Sequence, residues 1–229
     1  MVQPILRSKY PAITPEEQAM SVPLQILCLA LFDAILVNML NRVSLNGAWE
    51  MVRREVSDAM IINKGDRICS ILSDSYAKDH VIFLQEVAST FVKKLEICKV
   101  GETHAVLTPV GIDRWRDQNS IMMVRKDFFS PGTCQDETSR VIGKLDGSWV
   151  ANGDLFLASI LDHRGGLWLL GSFHGDSNGL STQPVLQAIV ELAKERFHDH
   201  KLVLGVDANT YDRPPNNRYH SVASFRSFV

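Results

Sequence analysis

The sequence predicts an α/β or α+β domain built as two or four layers of sheet and helix. Two observations carry that expectation. Short apolar runs of strand length recur along the chain and are mixed with segments of helical spacing. Two of the runs, Leu155 to Leu161 and Leu167 to Phe173, are separated only by Asp162-His163-Arg164-Gly165-Gly166. That link has the glycine a hairpin turn needs, so this pair is expected to be antiparallel.

In chain order, residues 1–21 read as a loose leader, and residues 22–229 as a single domain. Leu24 to Phe32 is a continuous apolar run suited to a strand buried on both faces. The chain from there to Lys64 is mixed, with Ala48 to Ala59 its best helical stretch. After Gly65, Ile68, Ile71, Leu72 and Tyr76 share one helical face, with Asp66 placed to cap it. Val81 to Leu84, Ala105 to Leu107 and Ser120 to Val124 read as strands. Pro184 sits in the first turn of a helix over 184–197, where Val185, Ile189, Leu192 and Ala193 line one face. Lys201 to Val206 is a further strand, Pro214-Pro215-Asn216-Asn217 a loop, and Val222 to Phe228 the beginning of a helix. There is no internal repeat and no low-complexity tract.

The 229 residues are 45% hydrophobic and 22% charged, as expected of a chain that folds into a soluble globular domain. Twenty-four basic against 26 acidic residues leave a net charge of -2, which argues against the broad basic face used for duplex DNA. A polyanionic substrate would then need a local patch or a metal. Cys28, Cys69, Cys98 and Cys134 form no CxxC pair and lie mostly in apolar stretches, so they read as reduced core residues. The order of charges before the first apolar run is not that of a secretory signal, and a cytoplasmic or nuclear protein is expected. Val22 to Leu40 approaches the length of a membrane span. Gln25, Asp33 and Asn38 interrupt it, and a carboxylate near mid-span is costly. A buried strand leading into a short helix is therefore expected, with a membrane anchor as the alternative.

Three strands end in polar residues capable of chemistry, at the edge where open α/β sheets tend to place their sites. Val81 to Leu84 leads into Gln85-Glu86, Leu167 to Phe173 into His174, and Leu202 to Val206 into Asp207-Ala208-Asn209. Each alone reads as a place where the chain meets water. The ordered set resembles the endonuclease/exonuclease/phosphatase family: a strand ending Leu84-Gln85-Glu86-Val87, a later strand ending in His174 with Ser177 three on, then Gly205-Val206-Asp207-Ala208-Asn209. Asp117-Gln118-Asn119-Ser120-Ile121, then Arg125-Lys126-Asp127-Phe128, and Gln187 extend the likeness over about residues 66–212. Leu-Gln-Glu-Val is similar in form to the deadenylase and nocturnin-like branch.

The resemblance implies a DNase I-like four-layer α/β sandwich of two mixed sheets flanked by helices, and hydrolysis of phosphoesters with Mg²⁺, or Mn²⁺ in its place. It implies Glu86 as principal metal ligand, Asp207 as the group that orients or deprotonates the attacking water, Asn209 as a phosphate or metal-shell contact, and His174 as a donor to phosphoryl oxygens. Asp117 and Asn119 are candidate substrate contacts. Trp115, between Arg114 and Arg116, is placed to stack a base of single-stranded nucleic acid or a nucleotide. Where the family has an Asn ending its first strand, this sequence has Asp33, the candidate second metal residue. The family's final Asp-His motif lies tens of residues past Asp-x-Asn, whereas this sequence ends 20 residues after Asn209. The last strands of the second sheet are thus expected to be missing. An inactive binding module of the same fold is the alternative reading.

Overall fold

A computed structural model describes residues 2–145, 150–212 and 219–228. The chain divides into two compact units, residues 1–64 and 65–229.

In the first unit, helix α1 (Pro15–Val43) opens with a capping box: Thr14 Oγ1 accepts from the Glu17 N–H at 3.1 Å, and the Glu17 carboxylate accepts from the Thr14 N–H at 2.7 Å. Pro15 is its first residue. The strand expected over Leu24 to Phe32 does not form, because this run lies inside α1. A run that is apolar at every position has no period of its own. Here a strong cap and a sequence rich in Leu and Ala favour the helix. The unit boundary falls at 64/65 rather than 21/22, since α1 continues unbroken through residue 22. Cys28 is consequently exposed and not a core residue. Helix α2 (Ala48–Ser57) follows and runs into one π-helical turn over Asp58–Ile62.

The second unit holds two sheets. Helix α3 (Lys64–Ser75) leads to strand β1 (Val81–Val87), helices α4 (Ser89–Ile97) and α5 (Lys99–Thr103), and strands β2 (His104–Leu107) and β3 (Asn119–Arg125). These strands form an antiparallel sheet in the order β1-β3-β2. The second sheet has the order β4-β5-β6-β7, from strands β4 (Gln135–Asp136), β5 (Leu155–Leu161), β6 (Leu167–His174) and β7 (Lys201–Asp207). Helices α6 (Thr138–Ile142), α7 (Thr182–Arg196) and α8 (Val222–Phe228) complete the chain. β5 and β6 are the expected antiparallel hairpin, while β7 returns parallel to β6 after α7. Short α4, α5, α6 and β4 carry too few residues to show a period and were not legible. The loop read over Pro214 to Asn217 lies outside the described residues.

Three apolar layers define the stacking. Ile121 and Met123 of β3 pack with Cys69, Leu72 and Leu95 from the helices on the outer face of the first sheet. Their neighbours Met122 and Val124 point the other way, to Phe156, Ala158, Ile160 and Leu170 of the second sheet. Leu155 and Leu157 of β5 then pack outward on Val185, Ile189 and Leu192 of α7. The two-residue alternation of a strand thus feeds a different layer from each face. The result is two β-sheets face to face, flanked by helices, the predicted α/β sandwich. Gly205 permits the close approach of β7 to β1, since a Cβ there would lie 2.2 Å from Phe83 Cγ.

Candidate active site

The second sheet delivers its chemistry by register. β6 and β7 are parallel with His174 directly beside Asp207 at their shared end. The antiparallel hairpin pairs Leu155 with Phe173, which sets Asp154 next to His174, and the His174 N–H donates to the Asp154 carbonyl at 2.9 Å. The first sheet contributes Glu86. The ladder between β1 and β3 slips between Leu84 and Val87, and Glu86 takes a left-handed backbone (φ 56°) at this bulge. Such bulges re-aim a side chain, here toward the second sheet. Gln85 ties the sheets together at this point, donating to Ser172 Oγ at 3.1 Å and to the Gly205 carbonyl at 3.3 Å, while Ser172 Oγ donates to the Leu84 carbonyl at 3.3 Å.

These elements gather around one imidazole. His174 Nε2 lies 3.7 Å from Glu86 Oε1 and 4.0 Å from Asp207 Oδ2, and His174 Nδ1 lies 3.9 Å from Asp154 Oδ1. The His174 side chain is 13% exposed, whereas those of Glu86 and Asp207 are 58% and 53% exposed. Asn209, also left-handed (φ 46°), donates through Nδ2 to the Gly175 carbonyl at 2.7 Å, with its Nδ2 3.3 Å from His174 Nε2. The Gly175 carbonyl fixes which end of the amide is nitrogen. In this arrangement Nε2 therefore accepts from Asn209, and the imidazole proton sits on Nδ1, facing Asp154. The Asn209 N–H donates to Asp207 Oδ1 at 3.1 Å, orienting that carboxylate.

Four of the residues singled out from the sequence, Glu86, His174, Asp207 and Asn209, are thus brought together. The others serve different ends. Asp117 Oδ1 accepts from the Ser89 N–H at 2.6 Å, at the first turn of α4, and this bond holds the Asp117 carboxyl below its ordinary range. Asn119 is fully buried and tied to backbone, donating to the carbonyls of Val87 and Asp113 and accepting from the Asp113 N–H. Both side chains therefore shape the loop over residues 108–118. Asp33 stands at mid-helix on an exposed face of α1, in the first unit, and not at the end of a strand. Gln187 donates to Glu191 one turn along α7.

Asp154 is the contributor that sequence reasoning missed, and Arg116, read from the sequence only as a flank of Trp115, is its ion-pair partner. Asp154 is buried and paired with Arg116 at 2.5 Å. Burial pushes its carboxyl above the ordinary range, against the pull of the Arg116 guanidinium and of His174. The signal was available: continuing the predicted hairpin by one residue places 154 opposite 174. Among the described residues no group of three or more His, Cys, Asp or Glu side chains converges to hold a metal ion.

Residues 1–54 match a family model described as Domain of unknown function (DUF8234). No curated protein matches the sequence. Among solved structures, the endonuclease/exonuclease/phosphatase from Bacteroides vulgatus is similar at 17% identity, covering 65% of this chain and 58% of that one, with a TM-score of 0.50. The family protein from Bacteroides thetaiotaomicron is similar at 16% identity, covering 72% and 58%, also with a TM-score of 0.50. D. rerio TDP2, solved with a single strand DNA product, matches at 17% identity over 67% of this chain and 56% of that one, with a TM-score of 0.44. The chain spans 56% to 58% of the length of these three proteins. The likeness is one of fold: the two-sheet sandwich flanked by helices is the architecture of endonuclease/exonuclease/phosphatase, DNase I-like proteins.

Proposed function

We propose that residues 65–229 form a divalent-metal-dependent phosphoesterase acting on single-stranded nucleic acid or a nucleotide. The observation that carries this reading is the convergence of Glu86, His174, Asp207 and Asn209, from the ends of three strands in two sheets, around one imidazole. The Bacteroides proteins of the same fold are named for phosphoester chemistry, which agrees with it.

The donor set suits a hard cation. Mg²⁺ keeps several waters and needs one or two carboxylates. Glu86 and Asp207 are two carboxylates within 4 Å of the same nitrogen, each more than half exposed and so open to a hydrated ion. Glu86 would be the principal ligand for Mg²⁺ or Mn²⁺. When bound, the ion supplies polarisation of a phosphoryl oxygen and neutralisation of developing charge.

The remaining work falls to the chain. Asp207, oriented by the Asn209 N–H, takes the proton of the attacking water. A phosphoryl oxygen docked beside Asn209 and His174 receives the amide hydrogen now directed at Nε2, and His174, once it binds a solvent proton at Nε2 as well as the one on Nδ1, donates a second hydrogen bond. Asp154, anchored by Arg116, holds the far side of the ring. The proposed substrate class rests on Trp115, 86% exposed beside Arg114, and on the deadenylase-like form of Leu84-Gln85-Glu86-Val87.

The test is hydrolysis of bis(p-nitrophenyl) phosphate and of a labelled single-stranded RNA with Mg²⁺, Mn²⁺ or EDTA. Metal-dependent cleavage is expected from the wild type, with a loss of about 10²–10⁴-fold in Asp207→Ala. A folded wild-type protein that cleaves neither substrate with either metal would turn the reading to a binding module.

A further inference from the structure

The N-terminal unit contains a feature that phosphoester chemistry does not use. Between Glu17 and Arg42, Asp33 is the only charged side chain, and Val22 to Leu40 supplies 19 residues of mostly apolar helix. At 1.5 Å per residue that stretch is about 28 Å long, close to the roughly 30 Å hydrocarbon core of a bilayer. α1 is long and apolar enough to cross a membrane, and only 6% of its most apolar stretch is buried within the molecule. Burial in a protein core therefore does not account for it.

The distribution of apolar residues distinguishes a lipid surround from a protein partner. With 3.6 residues per turn, Leu24, Phe32, Leu29, Ile26 and Leu27 follow one another round the whole circumference, and all are 48–64% exposed. A partner helix would need one apolar stripe and leave a polar face in water. A helix that is apolar all round suits hydrocarbon on every side.

The two ends carry the residues that favour the membrane–water boundary. Before α1, the Lys9 ammonium lies over the Tyr10 ring at 5.7 Å. After it, the Arg53 guanidinium lies over the Trp49 ring at 5.5 Å, and the Trp49 indole N–H donates to Asn41 Oδ1 at 2.7 Å, so this aromatic is fixed at the last turn of α1. α2 is itself amphipathic: Trp49, Val52 and Val56 recur at i, i+3 and i+7, opposite Glu50 and Arg54. That is the pattern of a helix lying in the plane of the interface.

We propose that α1 spans a lipid bilayer, with α2 lying at the boundary beyond its C-terminal end, so that residues 1–64 anchor the chain to a membrane. Asp33 falls two residues from the midpoint of the apolar stretch, and its cost is offset by the apolar residues Ile26 to Phe32 before it and Ala34 to Val37 after it.

The test uses the full chain expressed in cells, with flotation of the lysate in a sucrose gradient and an alkaline carbonate wash of the floated membranes. The wild-type chain is expected to float, to resist carbonate and to be released by non-ionic detergent. Leu29→Arg combined with Phe32→Arg is expected to lower the floated share about tenfold or more. Glu86→Gln should float like the wild type, since the anchor is independent of the phosphoester reading. Release by carbonate, recovery without detergent as a soluble species, sedimentation as an aggregate, or an intact mass lacking residues 1–43 would each overturn the proposal.

Discussion

At the scale of single residues, the site depends on backbone conformations that most side chains avoid. Glu86 and Asn209 both occupy the left-handed region, at φ 56° and 46°. Each turns a polar group out of its strand direction toward His174. Such strain concentrates where a function uses it. Asn209 tolerates that conformation as well as any residue but glycine, so Asn209→Gly keeps the backbone and removes only the amide. Its thermal midpoint should change little, while kcat should fall about 10²-fold, the usual loss for one preorganised donor. Parallel melting curves and steady-state rates check this. Asp154 was not legible alone, because an acidic residue ahead of a strand looks like a solvent contact until its hairpin register is followed.

At the scale of elements, α4 shows how the loop over residues 108–118 earns its acidic residue. The helix has no capping side chain of its own at Ala88, and the Asp117 carboxylate, from a distant turn, accepts from its first N–H. Because folding lowers the Asp117 pKa, its contribution is fully present above the unfolded value of 3.8 and is lost as pH falls through the lower folded value. Asp117→Asn should therefore cost about 0.3–1 kcal/mol at neutral pH and show less loss of stability on acidification than the wild type. Denaturant titrations across the acidic range measure both. β7 offers a second case: Gly205→Ala places a methyl group against the Phe83 side chain and should destabilise by about 1–3 kcal/mol.

For the whole molecule, the sandwich acts as a frame that brings one end of each sheet to the same point. Gln85 crosses from β1 to β6 and β7 there, beside the Ser172 hydroxyl that donates back to Leu84. A cation held by Glu86 binds the folded chain and not the unfolded one, so Mg²⁺ should raise the thermal midpoint, and the rise should continue with the logarithm of Mg²⁺ concentration above Kd. Glu86→Gln should abolish that rise. Differential scanning calorimetry with and without EDTA tests metal binding separately from turnover.

The sequence by itself determined the strands of the second unit other than β4, the β5–β6 hairpin, helix α7 and the polar residues that end β1, β6 and β7. Continuous apolar runs punctuated by glycine, proline and charge encode burial locally, and those signals survive without knowledge of neighbours. What only the tertiary structure decided was the meeting of Glu86 with His174 and Asp207 across two sheets, the pairing of Asp154 with Arg116, and the use of Asp117 and Asn119 as scaffold. Each depends on residues far apart in the chain whose distance is set by packing. The run from Leu24 to Phe32 marks the same boundary from the other side. A segment apolar at every position has no period to separate strand from helix, and its cap and its length, together with the lack of a burying partner among the described residues, made it a helix apolar on every face.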